Sequence, residues 1–291
     1  CGTSGPDQLI PGHALMVHGE LGSPACEAVT TSGVCCSGVT AFKYGFMSVS
    51  CGFTRNAVTT GSELVSNALR AVHFQPEIES KLAALEEKPV IGFEKDFLRW
   101  MLSDAAAAVL IEPAPRQEGV SLRVDWVDYL SYANEMEACM YCGCIKRADR
   151  SLQGWREVDN PSDLWEQGYF ALKQDARLLG EHIIAVGQRS LATVRDRHGL
   201  SADRVTWFLP HYSSEFFRQE LADRMAAIGV AIPQERWFTN LRSKGNTGSA
   251  SIFVMLEELL SSGAVSRGDT IFCLVPESAR FSYGYMHLTA V

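Results

Sequence analysis

The stretch that most restricts how this chain can fold is Val34-Cys35-Cys36-Ser37-Gly38-Val39-Thr40-Ala41-Phe42. A brief extended run, Ala28-Val29-Thr30-Thr31, leads into it, and a helical pattern through Lys43, Tyr44 and Phe46 leads out. Strand, sharp turn and helix therefore meet at a thiol. A cysteine at a helix start faces unpaired backbone N–H groups and the positive end of the helix dipole, and both favour thiolate over thiol. Gly38 lets another backbone or a substrate approach the turn closely. The competing reading of Cys36 is a buried small hydrophobe, as most free cysteines are.

Strands and helices alternate on both sides of that turn. Gly12 to Leu21 reads as a short helix ended by Gly22-Ser23-Pro24, and Ala57-Val58-Thr59-Thr60 as a buried strand of a parallel sheet. Residues 64–99 look helical. The apolar run 105–111, bounded by Pro113, reads as a strand, and residues 121–127 alternate as an antiparallel strand does. Residues 132–161 are polar and irregular. Leu164 to His198 reads as one long helix, Val205 to Leu209 as a strand that delivers Pro210-His211, and Glu215 to Ile228 as an amphipathic helix. Arg236 to Thr239 is extended, a helix follows from Ala250 to Leu260, and Thr270 to Val275 and Tyr285 to Val291 read as strands. His211 and Asn246 both fall where a strand gives way to loop and helix, which is where α/β sheets carry their chemistry.

At 291 residues the chain has enough apolar content for a substantial core. Its net charge of −8 argues against nucleic acid or an anionic membrane as partner. Nine cysteines, an odd number irregularly spaced with no secretory leader pattern, read as reduced thiols in a cytoplasmic protein. No apolar run reaches membrane-spanning length. Cys139, Cys142 and Cys144 form a C-x2-C-x-C cluster without a second ligand pair at zinc spacing, so no metal site is assigned.

Two distant stretches give the thiol its meaning: Trp207-Phe208-Leu209-Pro210-His211 and Lys244-Gly245-Asn246-Thr247-Gly248-Ser249-Ala250-Ser251. Alone, the first is a histidine after a strand and the second a turn with a helix cap. Together they supply a nucleophile, an imidazole and a neutral carboxamide, a working catalytic set.

In these three motifs the sequence resembles the thiolase superfamily, and within it the β-ketoacyl-ACP synthase III group of condensing enzymes. The resemblance covers nearly the whole chain, with Cys36 matching the family's acylated cysteine, His211 its histidine and Asn246 its asparagine. It implies a five-layered αβαβα fold of two similar halves, here 1–165 and 166–291, with an insertion at about 132–161. It also implies a homodimer with no tightly bound cofactor. The implied reaction is a decarboxylative Claisen condensation: an acyl group passes from acyl-CoA to Cys36, and malonyl-ACP or malonyl-CoA then loses CO2 and attacks it. In that step His211 Nε2 and the Asn246 amide would donate to the thioester oxygen as charge builds there. Acylation would use a separate oxyanion hole that includes the Cys36 N–H.

Two departures from the family pattern stand out. Where it commonly has a glycine triplet, this chain reads Ser278-Ala279-Arg280-Phe281, so Ala279, Arg280 and Phe281 become candidate substrate contacts with Phe208. Arg280 would then meet an acidic substrate or face solvent. The chain also opens on Cys1-Gly2-Thr3-Ser4-Gly5-Pro6, which reads as the turn after a strand, and the resemblance places the first strands of the sheet upstream. Leu9 and Ile10 fall near the position where a family dimer partner inserts an apolar residue into the acyl tunnel; an ordinary dimer contact is the other reading. The altered turn leans towards a specialised enzyme. Rivals are an acyltransferase of the same fold, acting on an alcohol or amine, and a papain-like protease. The first needs a base more than a second oxyanion donor, and the second lacks its Gln and Trp neighbours here.

Overall fold

The computed structural model describes residues 1–73, 75, 98 and 100–291. In the first sheet β1 (Gly2–Thr3) lies parallel between β2 (Thr31–Ser32) and β3 (Ala57–Glu63), and β4 (Ala105–Ile111) runs antiparallel to β3. The second sheet has the order β6 (Trp207–Pro210), β7 (Thr270–Glu277), β8 (Ser282–Ala290) and β5 (Leu122–Ser131). Its first pair is parallel and the other two are antiparallel. The helices that matter are α1 (His13–Leu21), α2 (Cys36–Ser50), α3 (Ala176–His198), α4 (Arg218–Ala227) and α5 (Ser251–Ser261).

Alternation along β7 shows how the layers stack, because successive strand residues face opposite sides. Phe272 and Leu274 join the core under α3 and α4, with Ile183, Ile184, Leu221 and Met225. Ile271, Cys273 and Val275 turn the other way, into a core shared with Val39 and Phe42 of α2, Ile252 and Leu256 of α5 and Ile111 of β4. Helices α2 and α5 thus fill the space between the sheets, while α3 and α4 cover the far face of the second sheet.

The two central helices meet at close backbone contacts. A Cβ on Gly38 would sit 2.1 Å from the Ser249 carbonyl oxygen, and one on Gly61 would sit 2.2 Å from the same atom. Ser249 in turn donates its hydroxyl to Gly2 O and Ser62 O, at 3.3 and 3.2 Å, and its N–H to Glu63 Oε1 at 3.0 Å. The loop before α5 is therefore bound directly to the first sheet.

Several expectations need correction. The division at 165/166 does not match the sheets: β5, residues 122–131, pairs with β8 along its whole length, so the change of sheet falls between β4 and β5. The helix expected from Leu164 is interrupted: Asp163–Glu166 is a single helical turn, and the long helix begins only at Ala176, where the Asp175 carboxylate caps the Leu178 N–H at 2.9 Å. Before it Gly168 takes a φ of 67°, and Lys173–Gln174 pairs with Met140–Tyr141. The strand expected over Tyr285–Val291 starts earlier, at Ser282, and ends at Ala290. Most of residues 64–99 lie outside the described residues; Val65–Ala68 and Ala71–His73 are short helical turns. The irregular region 132–161 includes a small antiparallel ribbon, Cys144–Lys146 with Leu152–Gly154.

Candidate functional site

A cavity of about 400 Å³ opens where the start of α2, the end of β6 and the loop before α5 converge, a size suited to a small-molecule site. Its side walls are largely apolar: Met101, Met140, Leu172, Leu179, Ile183 and Ile184. Polar groups gather at the convergence, where His211, Asn246, Glu63 and Ser278 reach the wall together with Cys35. Two of the three residues singled out in the sequence thus share one cavity.

His211 follows directly on β6. Its N–H donates to Leu274 O at 2.8 Å, extending the ladder to β7 by one residue and fixing where the imidazole leaves the sheet. Burial lowers its pKa to about 4, so the ring is neutral at pH 7.

Asn246 is held from three sides. Its N–H donates to Met101 O at 3.0 Å, its carbonyl accepts the Ser103 N–H at 2.8 Å, and its Oδ1 accepts the Gly248 N–H at 3.0 Å. A backbone N–H can face only the oxygen of a carboxamide, so Nδ2 is the end left to donate elsewhere. Gly245 makes the approach possible: at φ 72° it passes Ser103 so closely that a Cβ would lie 2.1 Å from its hydroxyl.

Cys36 is the first residue of α2, as expected, and only 2 % exposed. Its Sγ donates to Val275 O at 3.0 Å, and the cavity wall is formed by its neighbour Cys35. The thiolate expected from the helix start is not the resting form. Burial raises the thiol pKa well above 9.0, with the Glu277 carboxylate and Cys35 adding to the effect and the Gly284 N–H opposing it. In this interior desolvation outweighs the helix dipole.

The other candidates lie off the wall. Phe208 alternates into the core beneath α3 and α4 and meets Trp237 edge-on. Phe281 is wholly buried on that same side, at a φ of 59°. Arg280 is exposed and donates Nε to Met136 O at 3.0 Å. Ala279 packs behind the cavity beside Met101 and Met140, its carbonyl taken by the Cys139 N–H at 2.7 Å. Leu9 and Ile10 are exposed, 71 % and 85 %. For Phe208, Ala279, Arg280 and Phe281 adjacency in sequence to functional turns was misleading, because strand alternation and turn hydrogen bonding decide which side chain faces the cavity. Cys139, Cys142 and Cys144 donate to three separate carbonyls, those of Asp175, Phe170 and Cys142. Among the described residues no three His, Cys, Asp or Glu side chains are grouped to hold a metal ion.

Two carboxylates escaped the sequence reading. Glu63 ends β3 and binds Ser4 and the Ser249 N–H at the cavity edge. Glu277 ends β7, 6 % exposed, with its Oε1 accepting the Ala279 N–H at 2.6 Å. An acidic residue closing an apolar strand was the available signal for the second.

Residues 196–286 match the family model described as 3-oxoacyl-[acyl-carrier-protein (ACP)] synthase III C terminal. The β-ketoacyl-[acyl-carrier-protein] synthase III of Chlorobium luteolum is 21 % identical over 288 residues, covering 98 % of this chain and 75 % of that protein. Among solved structures, 3-oxoacyl-[acyl-carrier-protein] synthase III from Aquifex aeolicus superposes with a TM-score of 0.68 at 19 % identity, over 99 % of this chain and 75 % of its own. OleA from Xanthomonas campestris, with bound lauric acid and lauroyl-CoA, gives 0.72 at 16 % identity over 99 % and 74 %. The C-terminal match, the curated relatives and the shared architecture show a condensing enzyme with the thiolase fold, similar along nearly its whole length to the 3-oxoacyl-ACP synthases III.

Proposed function

We propose that this enzyme joins two thioesters: an acyl group is carried on Cys36, and a malonyl-type thioester is decarboxylated beside it to give a β-ketoacyl thioester. The observation that carries the proposal is the pairing, on one cavity, of a neutral imidazole with a carboxamide whose oxygen is already engaged. Loss of CO2 builds negative charge on the thioester oxygen. Two neutral donors, His211 Nε2–H and Asn246 Nδ2–H, stabilise that oxygen without offering the acidic proton that an imidazolium would hand to the carbanion. The carbanion then attacks the acyl carbonyl and the Cys36 sulfur leaves. The apolar walls suit an acyl chain, and the lauroyl-CoA bound to OleA supports acyl-CoA as donor class. The second substrate would be malonyl-ACP or malonyl-CoA, and the working unit a homodimer.

In this reading the Cys36 sulfur leaves Val275 O by rotation about its Cα–Cβ bond and enters the cavity alongside Cys35. The test is peptide-mapped mass spectrometry after incubation with acyl-CoAs of graded length, followed by malonyl-CoA or malonyl-ACP. The expected result is an acyl adduct on Cys36 that disappears with CO2 release on the second addition. An adduct on Cys35 would move the nucleophile by one residue. Loss of the adduct to an alcohol or amine without CO2 would replace condensation by simple acyl transfer.

A further inference from the structure

We infer that Glu277 is the proton acceptor for the acyl-carrying thiol, a role that rests on the function proposed above. Three structural observations lead to it. Residues 271, 273 and 275 of β7 face α2, and Glu277 continues that register by two more residues. The Cys36 Sγ already touches this strand at Val275 O, so thiol and carboxyl share one side of β7 at its cavity end. Their chain neighbours Cys35, Pro276 and Ser278 lie on the cavity wall, which puts both groups directly behind it.

The carboxyl is also poorly compensated. Its contacts are turn donors: the Ala279 N–H at 2.6 Å, with the Arg280 and Ser282 N–H groups and the Ser282 hydroxyl also bonding to it. Among the described residues no lysine, arginine or histidine lies within salt-bridge distance of it. The titratable groups that feel its charge are Cys35, Cys36 of α2, Tyr129 of β5, Cys139, and Tyr283 of β8, none of them cationic. Burial raises the pKa of Glu277 above 4.5, which makes it a better base than an exposed carboxylate. Buried carboxyls without a counter-ion are costly, and nucleophilic sites are where such groups find a use.

The step balances as follows. As the Cys36 sulfur bonds to the acyl carbonyl carbon, its proton passes to the Glu277 carboxylate. As the bond from that carbon to the CoA sulfur breaks, Glu277 returns the proton to the departing thiolate, leaving acyl-Cys36, free CoA thiol and an ionised Glu277.

The test compares wild type with Glu277→Gln and Glu277→Asp in two reactions of the whole protein: acylation by acyl-CoA and alkylation of Cys36 by iodoacetamide. Gln keeps an acceptor for the Ala279 N–H. Removing the negative neighbour eases ionisation of the thiol, so alkylation at fixed pH should quicken. Acylation should slow by about 100-fold or more, with partial rescue by Asp. A role confined to holding the turn predicts that both rates change in the same direction, which would overturn the proposal. If Glu277→Gln does not fold, the wild-type pH profile decides: acylation should fall on an acid limb above pH 4.5, and a flat profile down to that pH would overturn it. If wild type forms no acyl adduct, the proposed function itself fails; equal acylation by wild type and Glu277→Gln removes only the role of Glu277.

Discussion

Replacing Asn246 by alanine separates the two steps of the proposed reaction, and the structure sets the size of each effect. The Nδ2–H is one of two donors at the oxygen where charge develops, and removing one such donor costs about 100- to 1000-fold in rate, or about 2.7–4 kcal/mol. Decarboxylation should fall by that factor. Acylation of Cys36 uses neither donor and should stay within a few-fold of wild type. The substitution also leaves the buried Gly248 N–H without the Oδ1 that it meets at 3.0 Å, a loss of about 1–3 kcal/mol. For 291 residues, at about 2.1 cal/mol/K per residue, this lowers Tm by roughly 2–5 °C. Asn246→Asp resolves the two contributions, because a carboxylate still accepts from Gly248 but presents an anion where charge must build. It should lose at least as much decarboxylation as alanine, while any stability kept through the Gly248 N–H is set against the cost of burying an unpaired carboxylate. Single-turnover measurement of acyl adduct by mass spectrometry and of CO2 release gives both rates on one sample. Equal loss of acylation and decarboxylation in both variants would refute the division of roles.

Gly38→Ala should destabilise by about 3 kcal/mol or more, because the new Cβ meets the Ser249 carbonyl oxygen at 2.1 Å and neither backbone can yield without moving a sheet. Gly180→Ala on α3, where a Cβ meets nothing within 4 Å, should instead raise stability by about 0.5–1 kcal/mol; thermal unfolding of the pair checks both. His211 contributes a pH dependence of stability with a definite sign. Its folded pKa of about 4 lies below the ordinary 6.5, so the unfolded chain binds the proton first and stability falls as pH drops from about 6.5 towards 4. In His211→Gln that part of the slope should vanish in urea titrations at pH 7, 6 and 5; an unchanged slope would show that the ring is not buried neutral.

Much of the scaffold was legible because it rests on local pattern. Val205–Leu209, Thr270–Val275 and 105–111 are short apolar runs bounded by turn residues, and each is a strand or most of one. The long helix was overextended at its start because Leu164 and Leu172 continue an apolar spacing that the Asp175 cap and the pairing of Lys173–Gln174 interrupt. Pairing between distant segments has no local signature, so the sequence placed residues 122–131 in the wrong half, although their antiparallel alternation was plain.

The residue types of the site, its order along the chain and the turns that carry it were determined by the sequence alone, since strand ends, a close-approach glycine and helix starts are written in neighbouring residues. Tertiary structure decided which atoms face the cavity. It brought His211 and Asn246 onto one wall, set Cys35 rather than Cys36 at the surface, sent Phe208 and Phe281 into the opposite core, and lodged Glu277 behind the thiols. The physical reason is that a side chain's direction follows from strand register and helix phase against elements far away in sequence, and its ionisation from the solvent those elements exclude.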